Sequence, residues 1–315
     1  MKNANLFYPV IFISTFLYAS LSFGKSEQPT VRYCDYVFEQ IVVKKDVVYG
    51  NNKTQGGTRV DLLMDVYMPS GDTCTSRPII ILAHGGYYLY GSKENFEREC
   101  GNLARAGYIA ATINYRLIDV SESPGSYKRA TADAVNDMKA AVRFFRLDKS
   151  TENFYKADTS NIFIGGYSAG AITSLHYAYC NTPKDVFAIG GSQLLTYVTI
   201  HGGIEGDSGN PGYSSEVRGV INIAGSIHAA WMLNKNEPCL FSVHGTADDV
   251  VPFNVGKSGD SGVRTEGSGL VTERAQKIGL INQLCAIEGA GHSAYFECDS
   301  CPGKMRHFIF ANLEK

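Results

Sequence analysis

The run Ile79-Ile80-Ile81-Leu82-Ala83 constrains this chain most: it is apolar without interruption and sits between Pro78 and His84-Gly85-Gly86. A strand with one wet face alternates apolar and polar residues, whereas an unbroken apolar run of this length reads as a strand covered on both faces. The rest of the chain supplies the covers. A helical stretch from Glu94 to Ala106 is followed by the strand Tyr108–Asn114. A long helix, about Tyr127 to Arg146, then places Ala134, Met138, Ala141, Val142 and Phe145 on one side. The strand Asn161–Gly165 and the helix Ala169 to Tyr179 come next, then the strands Gly219–Ala224 and Cys239–Val243. A helix from Leu270 to Ile278, the strand Gln283–Ile287 and a closing helix, Met305 to Leu313, complete the series. Ahead of the apolar run, Val37–Tyr49 and Arg59–Tyr67 alternate, with Asn51-Asn52 and Gly56-Gly57 between them, as antiparallel strands do.

This order predicts an α/β class: a mostly parallel sheet with an antiparallel N-terminal edge and helices on both faces. No repeat or linker divides it, so residues 25–315 are expected to form a single domain, within the size one α/β unit can reach. Two Gly-rich insertions, Ala188–Tyr213 and Gly256–Gly269, break the alternation and read as long loops.

The first 24 residues read as an export signal. Lys2 gives a positive start, Leu6 to Ala19 a short apolar stretch, and Ser22 and Gly24 a small-x-small cleavage pattern. The apolar stretch is short of the ~20 residues a membrane span needs, so no stable membrane anchor is expected after cleavage, and the mature protein is expected to be secreted or periplasmic. A formal net charge of −2 offers no basic field for nucleic acid, which is excluded as a main partner. All eight cysteines follow the signal, which in an exported chain allows up to four disulfides. Cys298-Asp-Ser-Cys301 has no second CxxC and no His cluster beside it, so it reads as a local disulfide; Cys239 is paired with Cys285 because both begin strands expected to be neighbours.

Chemistry concentrates at the strand ends. Gly166-Tyr167-Ser168-Ala169-Gly170 follows an apolar strand directly and opens a helix, the setting that gives a G-x-S-x-G sequence its meaning. Its glycines permit a sharp turn that lifts the Ser168 hydroxyl to the positive end of the next helix. A serine hydroxyl needs a base, and of seven histidines His292, in Gly291-His292-Ser293 after the last strand, is the candidate. His176 and His307 lie on helices; His201 and His228 stand in or near the insertions and could line a pocket. The carboxylate that holds the base is sought in His244-Gly245-Thr246-Ala247-Asp248-Asp249, where Asp248 is favoured and Asp249 is its rival; His244 is expected to pack there. Gly85, Gly86 and Tyr87, with Ala169 after the serine, are the candidate donors to an oxyanion. Tyr87, Tyr88 and Tyr167 are candidate substrate contacts, with Tyr90 beside them able to extend an aromatic wall.

With these residues the chain resembles the α/β-hydrolase fold superfamily, and within it bacterial esterases and lipases with an HGG-type oxyanion loop, akin to the hormone-sensitive-lipase and carboxylesterase groups. The carriers are His84-Gly85-Gly86 with Gly91-Ser92-Lys93, Asn114-Tyr115-Arg116-Leu117, Gly165 to Gly170, His244 to Pro252, and Gly291-His292. The resemblance implies a triad of Ser168, Asp248 and His292, an oxyanion region at Gly85, Gly86 and Ala169, and a purely structural turn at Asn114 to Leu117. Two residues depart from the pattern: Tyr87 stands where many relatives have a third Gly, and Ala171 replaces a Gly.

The expected activity is hydrolysis of a small-molecule or polymer-borne carboxylic ester through an acyl-enzyme, with no cofactor and no metal. With no long helical cap in the sequence, an open site is expected, suited to short-chain acyl groups or carbohydrate and aryl esters. The alternatives are a polyester depolymerase, a serine peptidase of the prolyl-oligopeptidase type, and a non-catalytic binding module on the same fold.

Overall fold

The computed structural model describes Met1 and residues 30–314; all but Met1 of the expected export signal lies outside the described residues. The chain opens with a hairpin of β1 (Ile41–Lys53) and β2 (Arg59–Pro69). The apolar run becomes β3 (Arg77–Ala83), buried at every position. A 3-10 turn leads into α1 (Glu97–Ala106), followed by β4 (Ile109–Ile113), α2 (Pro124–Ser150), β5 (Ala157–Tyr167) and α3 (Ala169–Tyr179). Then come α4 (Pro183–Ile200), β6 (Gly219–Ile223), β7 (Ser226–Ile227) and β8 (Cys239–Gly245). The last elements are β9 (Val255–Ser258), β10 (Val263–Gly267), α5 (Ser268–Ile278), β11 (Asn282–Ile287) and α6 (Cys301–Ala311).

The main sheet has the order β1-β2-β4-β3-β5-β6-β8-β11. Its β1–β2 and β2–β4 pairings are antiparallel and the rest are parallel, as the alternation predicted. The period-two geometry of a strand explains why β3 is apolar throughout. Ile79 and Ile81 pack on one face with Met138 and Val142 of α2, Leu175 of α3 and Val271 of α5. Ile80 and Leu82 pack on the other with Leu103 of α1 and Phe308 of α6.

Both insertions are ordered differently from expectation. The first half of Ala188–Tyr213 belongs to α4, which Thr182 caps by accepting the Asp185 N–H, with Pro183 at the first turn. Gly190 and Gly191 interrupt its helical geometry, and that kink hides the helical period in the sequence. Gly256–Gly269 contributes β9 and β10 to a three-stranded antiparallel sheet of order β7-β10-β9.

The cysteine expectations hold only in part. Cys298 and Cys301 form a disulfide, whereas Cys34, Cys74, Cys100, Cys180, Cys239 and Cys285 are free, so four bridges are not made. Cys239 and Cys285 do sit on adjacent parallel strands. The register, however, sets Cys285 against Val243, which puts Cys239 roughly 13 Å further along the strand, beyond disulfide reach.

Arg116, in the turn after β4, is the buried ionic tie of the fold. Its guanidinium lies 2.8 Å from Asp137 and 3.4 Å from Asp133 of α2, and donates to Lys53 O (2.8 Å) and Ser208 Oγ (3.2 Å). One side chain thus joins the β4 turn, α2, the end of β1 and the segment after α4. Removing it leaves Asp137, fully buried, without its cation. Arg116→Leu is expected to lower unfolding free energy by about 3–5 kcal/mol in urea denaturation; a loss below about 1 kcal/mol would contradict the tie.

Candidate active site

The site begins where β5 gives way to α3. Ser168 occupies that junction with φ 53° and ψ −117°, a conformation that costs a non-glycine residue about 1–3 kcal/mol. Its N–H donates to Ile223 O on β6 (2.9 Å), and its carbonyl accepts from Ile172 N (2.9 Å), the first bond of the helix. The flanking glycines let the turn press against the end of β3. A Cβ on Gly166 would lie 2.3 Å from Ala83 O, and one on Gly170 only 2.0 Å from the same oxygen.

Asp248 follows β8 and is buried, while Asp249 is exposed, which separates the two rivals. Asp248 Oδ1 accepts the N–H groups of Val250 and Val251 at 2.9 Å each. Its Oδ2 faces His292 Nδ1 at 2.7 Å and His244 Nε2 at 3.0 Å. Although burial acts to raise the Asp248 pKa, the hydrogen bonds from His244 and His292 and from the backbone outweigh it and hold the carboxyl far below the usual range. His244 Nε2 also meets Val251 O at 3.0 Å; a carbonyl only accepts, so this nitrogen carries the proton. Nδ1 of His244 then accepts from Ser268 Oγ (2.7 Å), which in turn accepts from Asn222 Nδ2 (2.9 Å). His244, expected to pack, therefore also positions the carboxylate.

His292 lies in the loop after β11. With Nδ1–H given to Asp248, Nε2 is left as the basic nitrogen. The His292 ring rests 4.8 Å from that of Tyr167, the residue before Ser168, and Phe296 backs Tyr167 edge-on at 5.0 Å. Tyr167, considered for substrate contact, therefore packs between Phe296 and His292. Cys298–Cys301 closes this loop onto the start of α6.

The β3 end brings the glycines to the serine. A Cβ on Gly85 would lie 3.2 Å from Ser168 Cβ, so its backbone sits directly against the nucleophile candidate. Gly86, Tyr87 and Tyr88 all take positive φ (111°, 56° and 62°). Among the described residues no backbone carbonyl accepts the N–H of Gly86 or of Ala169. His84 braces the loop: Nδ1 meets Gly85 O at 2.6 Å, and the ring stacks on Tyr115 at 4.3 Å. Burial lowers its pKa, which keeps it neutral.

A cavity of about 110 Å³ adjoins Ser168 and Ala169, lined by Tyr87, Tyr88, Ile172 and, from α4, Val186, Leu194 and Val198. Tyr88 is buried, its hydroxyl donating to Ala169 O (3.0 Å), whereas Tyr90 is exposed. Residues of α4 and of the small sheet thus wall this cavity. Thr182-Pro183 with Asp185, a helix-start pattern, was the sequence signal for α4. His176 and His228 also line the cavity; His201 stacks on Tyr197, and His307 is exposed on α6. Among the described residues there is no group of three or more His, Cys, Asp or Glu placed to hold a metal ion, and no helix long and apolar enough to cross a membrane.

Comparison with known proteins agrees with this architecture. The BD-FAE family model matches residues 64–188, from β2 through the serine turn into α4. Esterase-5B of Drosophila persimilis is 26% identical over 166 residues, which is 50% of this chain and 29% of that protein. The chain thus spans under a third of the length of this curated relative. Among solved structures, Thermogutta terrifontis esterase 2 phosphorylated by paraoxon superposes with a TM-score of 0.59 at 21% identity, covering 87% of this chain and 92% of that one. A truncated carbohydrate esterase from gut microbiota gives a TM-score of 0.60 at 19% identity, covering 88% and 97%. The fold of this chain is the α/β-hydrolase fold that these esterases share.

Two outcomes follow from this geometry. The native pKa of Asp248 lies below its unfolded value of about 4, so its ionisation stabilises the fold above that pH and the contribution is lost as pH falls. Asp248→Asn should therefore show a shallower decline of unfolding free energy below about pH 4; an unchanged slope would refute the assignment. Replacing the disulfide with Cys298→Ser/Cys301→Ser should free the His292 loop and lower kcat several-fold, and unchanged rates would reject that coupling.

Proposed function

We propose that this chain hydrolyses carboxylic esters through a serine acyl-enzyme. The observation that carries the reading is the hydrogen-bonded Asp248–His292 pair, packed through Tyr167 against the strained Ser168 at the head of α3. In this reading His292 Nε2 takes the Ser168 proton as Oγ attacks the ester carbonyl, and Asp248 stabilises the imidazolium. The developing oxyanion is met by N–H groups of the Gly85-Gly86-Tyr87 loop and by Ala169 N–H, which the α3 dipole reinforces. The alcohol leaves with the proton from His292, and a water activated by the same nitrogen releases the acid and restores Ser168. No step requires a cofactor or metal.

The esterase relatives support ester over amide as the bond cleaved. Within this proposal the substrate is a carbohydrate or aryl ester, small or borne on a polymer, and the carbohydrate esterase likeness supports the first of these. Action outside the cytoplasm, secreted or periplasmic, is part of the proposal and rests on the N-terminal segment.

The test is hydrolysis of a chromogenic acyl series, from acetyl to long chain, by the protein and by Ser168→Ala. Turnover should fall by about 10⁴-fold or more in the variant. Activity that survives the substitution would mean that another group is the nucleophile.

A further inference from the structure

The cavity beside Ser168 follows α3 away from the reacting end. Ala169, Ile172, His176 and Cys180 all line it, and spacings of three, four and four residues put them in one narrow stripe along the helix. At 1.5 Å per residue that stripe runs about 16 Å from Ala169 to Cys180. The helix α2 forms a second wall with Tyr127, Thr131 and Val135, again one helical face, and α4 a third with Val186, Leu194 and Val198. The far end is apolar, because the three α4 residues pack with Ala132 of α2 and with Cys180 in a cluster of their own.

The polar side chains along this path are already bonded. His176 Nδ1–H donates to Ile172 O (2.8 Å), and its bare Nε2 accepts the His228 N–H (3.2 Å). Burial pushes the His176 pKa down to about 4, which keeps the ring neutral. Thr131 Oγ1 donates to Tyr127 O (3.0 Å) and Asn136 Nδ2 to His201 O (3.3 Å). What the α3 stripe and the far end offer an occupant is therefore apolar surface. Size sets its length. An extended alkyl chain advances roughly 1.3 Å per carbon, its bonds being about 1.5 Å, so the stripe is the reach of about twelve carbons. Volume is the tighter limit: at roughly 10–15 Å³ for each water-sized group, 110 Å³ holds about seven to eleven, and a methylene is about that size.

The cavity also has a chemical side. The leaving alcohol must meet His292, yet the residues lining this cavity include Ser168 and Ala169 and not His292. It therefore takes the acyl part. Resting on the ester-hydrolase reading, we infer that the cavity along α3 is a channel for an unbranched aliphatic acyl chain of about eight carbons, its length limited at the far end by Ala132, Leu194 and Val198. That chain is longer than the short acyl groups expected from the sequence.

The experiment measures kcat/KM for methylumbelliferyl esters from acetate to dodecanoate in the protein, in Ala132→Phe and in Leu194→Ala, with thermal melts to confirm folding. Each buried methylene is worth up to about fourfold, the equivalent of ~0.8 kcal/mol, so kcat/KM should climb at least about tenfold from butanoate to octanoate and fall beyond about ten carbons. Ala132→Phe fills the far end and should move the optimum to shorter chains. Leu194→Ala empties it and should move the optimum to longer ones, and a general loss of stability would not produce opposite shifts. Ethyl octanoate against octyl acetate, followed by titration of the released acid, tests the side: the octanoate should be preferred by about tenfold. A profile that is flat or falls from acetate onward overturns the inference. So does an optimum that stays in place in both folded variants, or octyl acetate cleaved as well as ethyl octanoate. If no ester is hydrolysed in a Ser168-dependent way, it is the ester-hydrolase reading that fails, and the channel falls with it.

Discussion

Everything in this structure that bears on chemistry depends on the backbone at Ser168. A serine held at φ 53° is strained, and the strain persists only because its surroundings leave the turn no alternative. Ile223 O takes the Ser168 N–H, and Gly166 and Gly170 lie so close to Ala83 O that no side chain fits at either position. Those contacts come from three adjacent parallel strands, β3, β5 and β6. The apolar run that makes β3 a two-sided core strand is thus also the wall against which the turn is folded.

The second dependence is electrostatic and converges on one carboxylate. Both Asp248 oxygens are occupied, one by two backbone N–H groups and the other by two imidazoles. A buried charge is tolerated only with such partners. Their number fixes the carboxylate orientation and so the direction in which His292 points. The line Asn222–Ser268–His244 behind it carries that constraint into β6 and α5. Around this centre α4 and the small sheet contribute walls to the cavity beside Ser168.

Much of this was legible in the sequence. The strand–helix alternation gave the sheet, and G-x-S-x-G after an apolar strand located the turn. The order Ser, Asp, His pointed to Asp248 and His292, which the fold brings to one sheet edge. What was not legible has physical reasons. Gly190-Gly191 broke the helical period of α4, and β9 and β10 are short strands rich in Gly and polar residues, so both segments read as loops. Cys239 and Cys285 were correctly placed on neighbouring strands, but register is set by side-chain packing across the whole sheet and not by the cysteines. His244 carries no motif that marks it as more than a packed histidine; only the fold shows its Nε2 against the Asp248 carboxylate.

The central claim is that Ser168 Oγ is a nucleophile activated in place. Covalent labelling tests it most directly: treat the folded protein with a stoichiometric organophosphate ester and map the adduct by peptide mass spectrometry. The account predicts one phosphoryl group per chain, on the peptide carrying Ser168, and its loss in His292→Ala. An unlabelled Ser168, or a label on another residue, would contradict it.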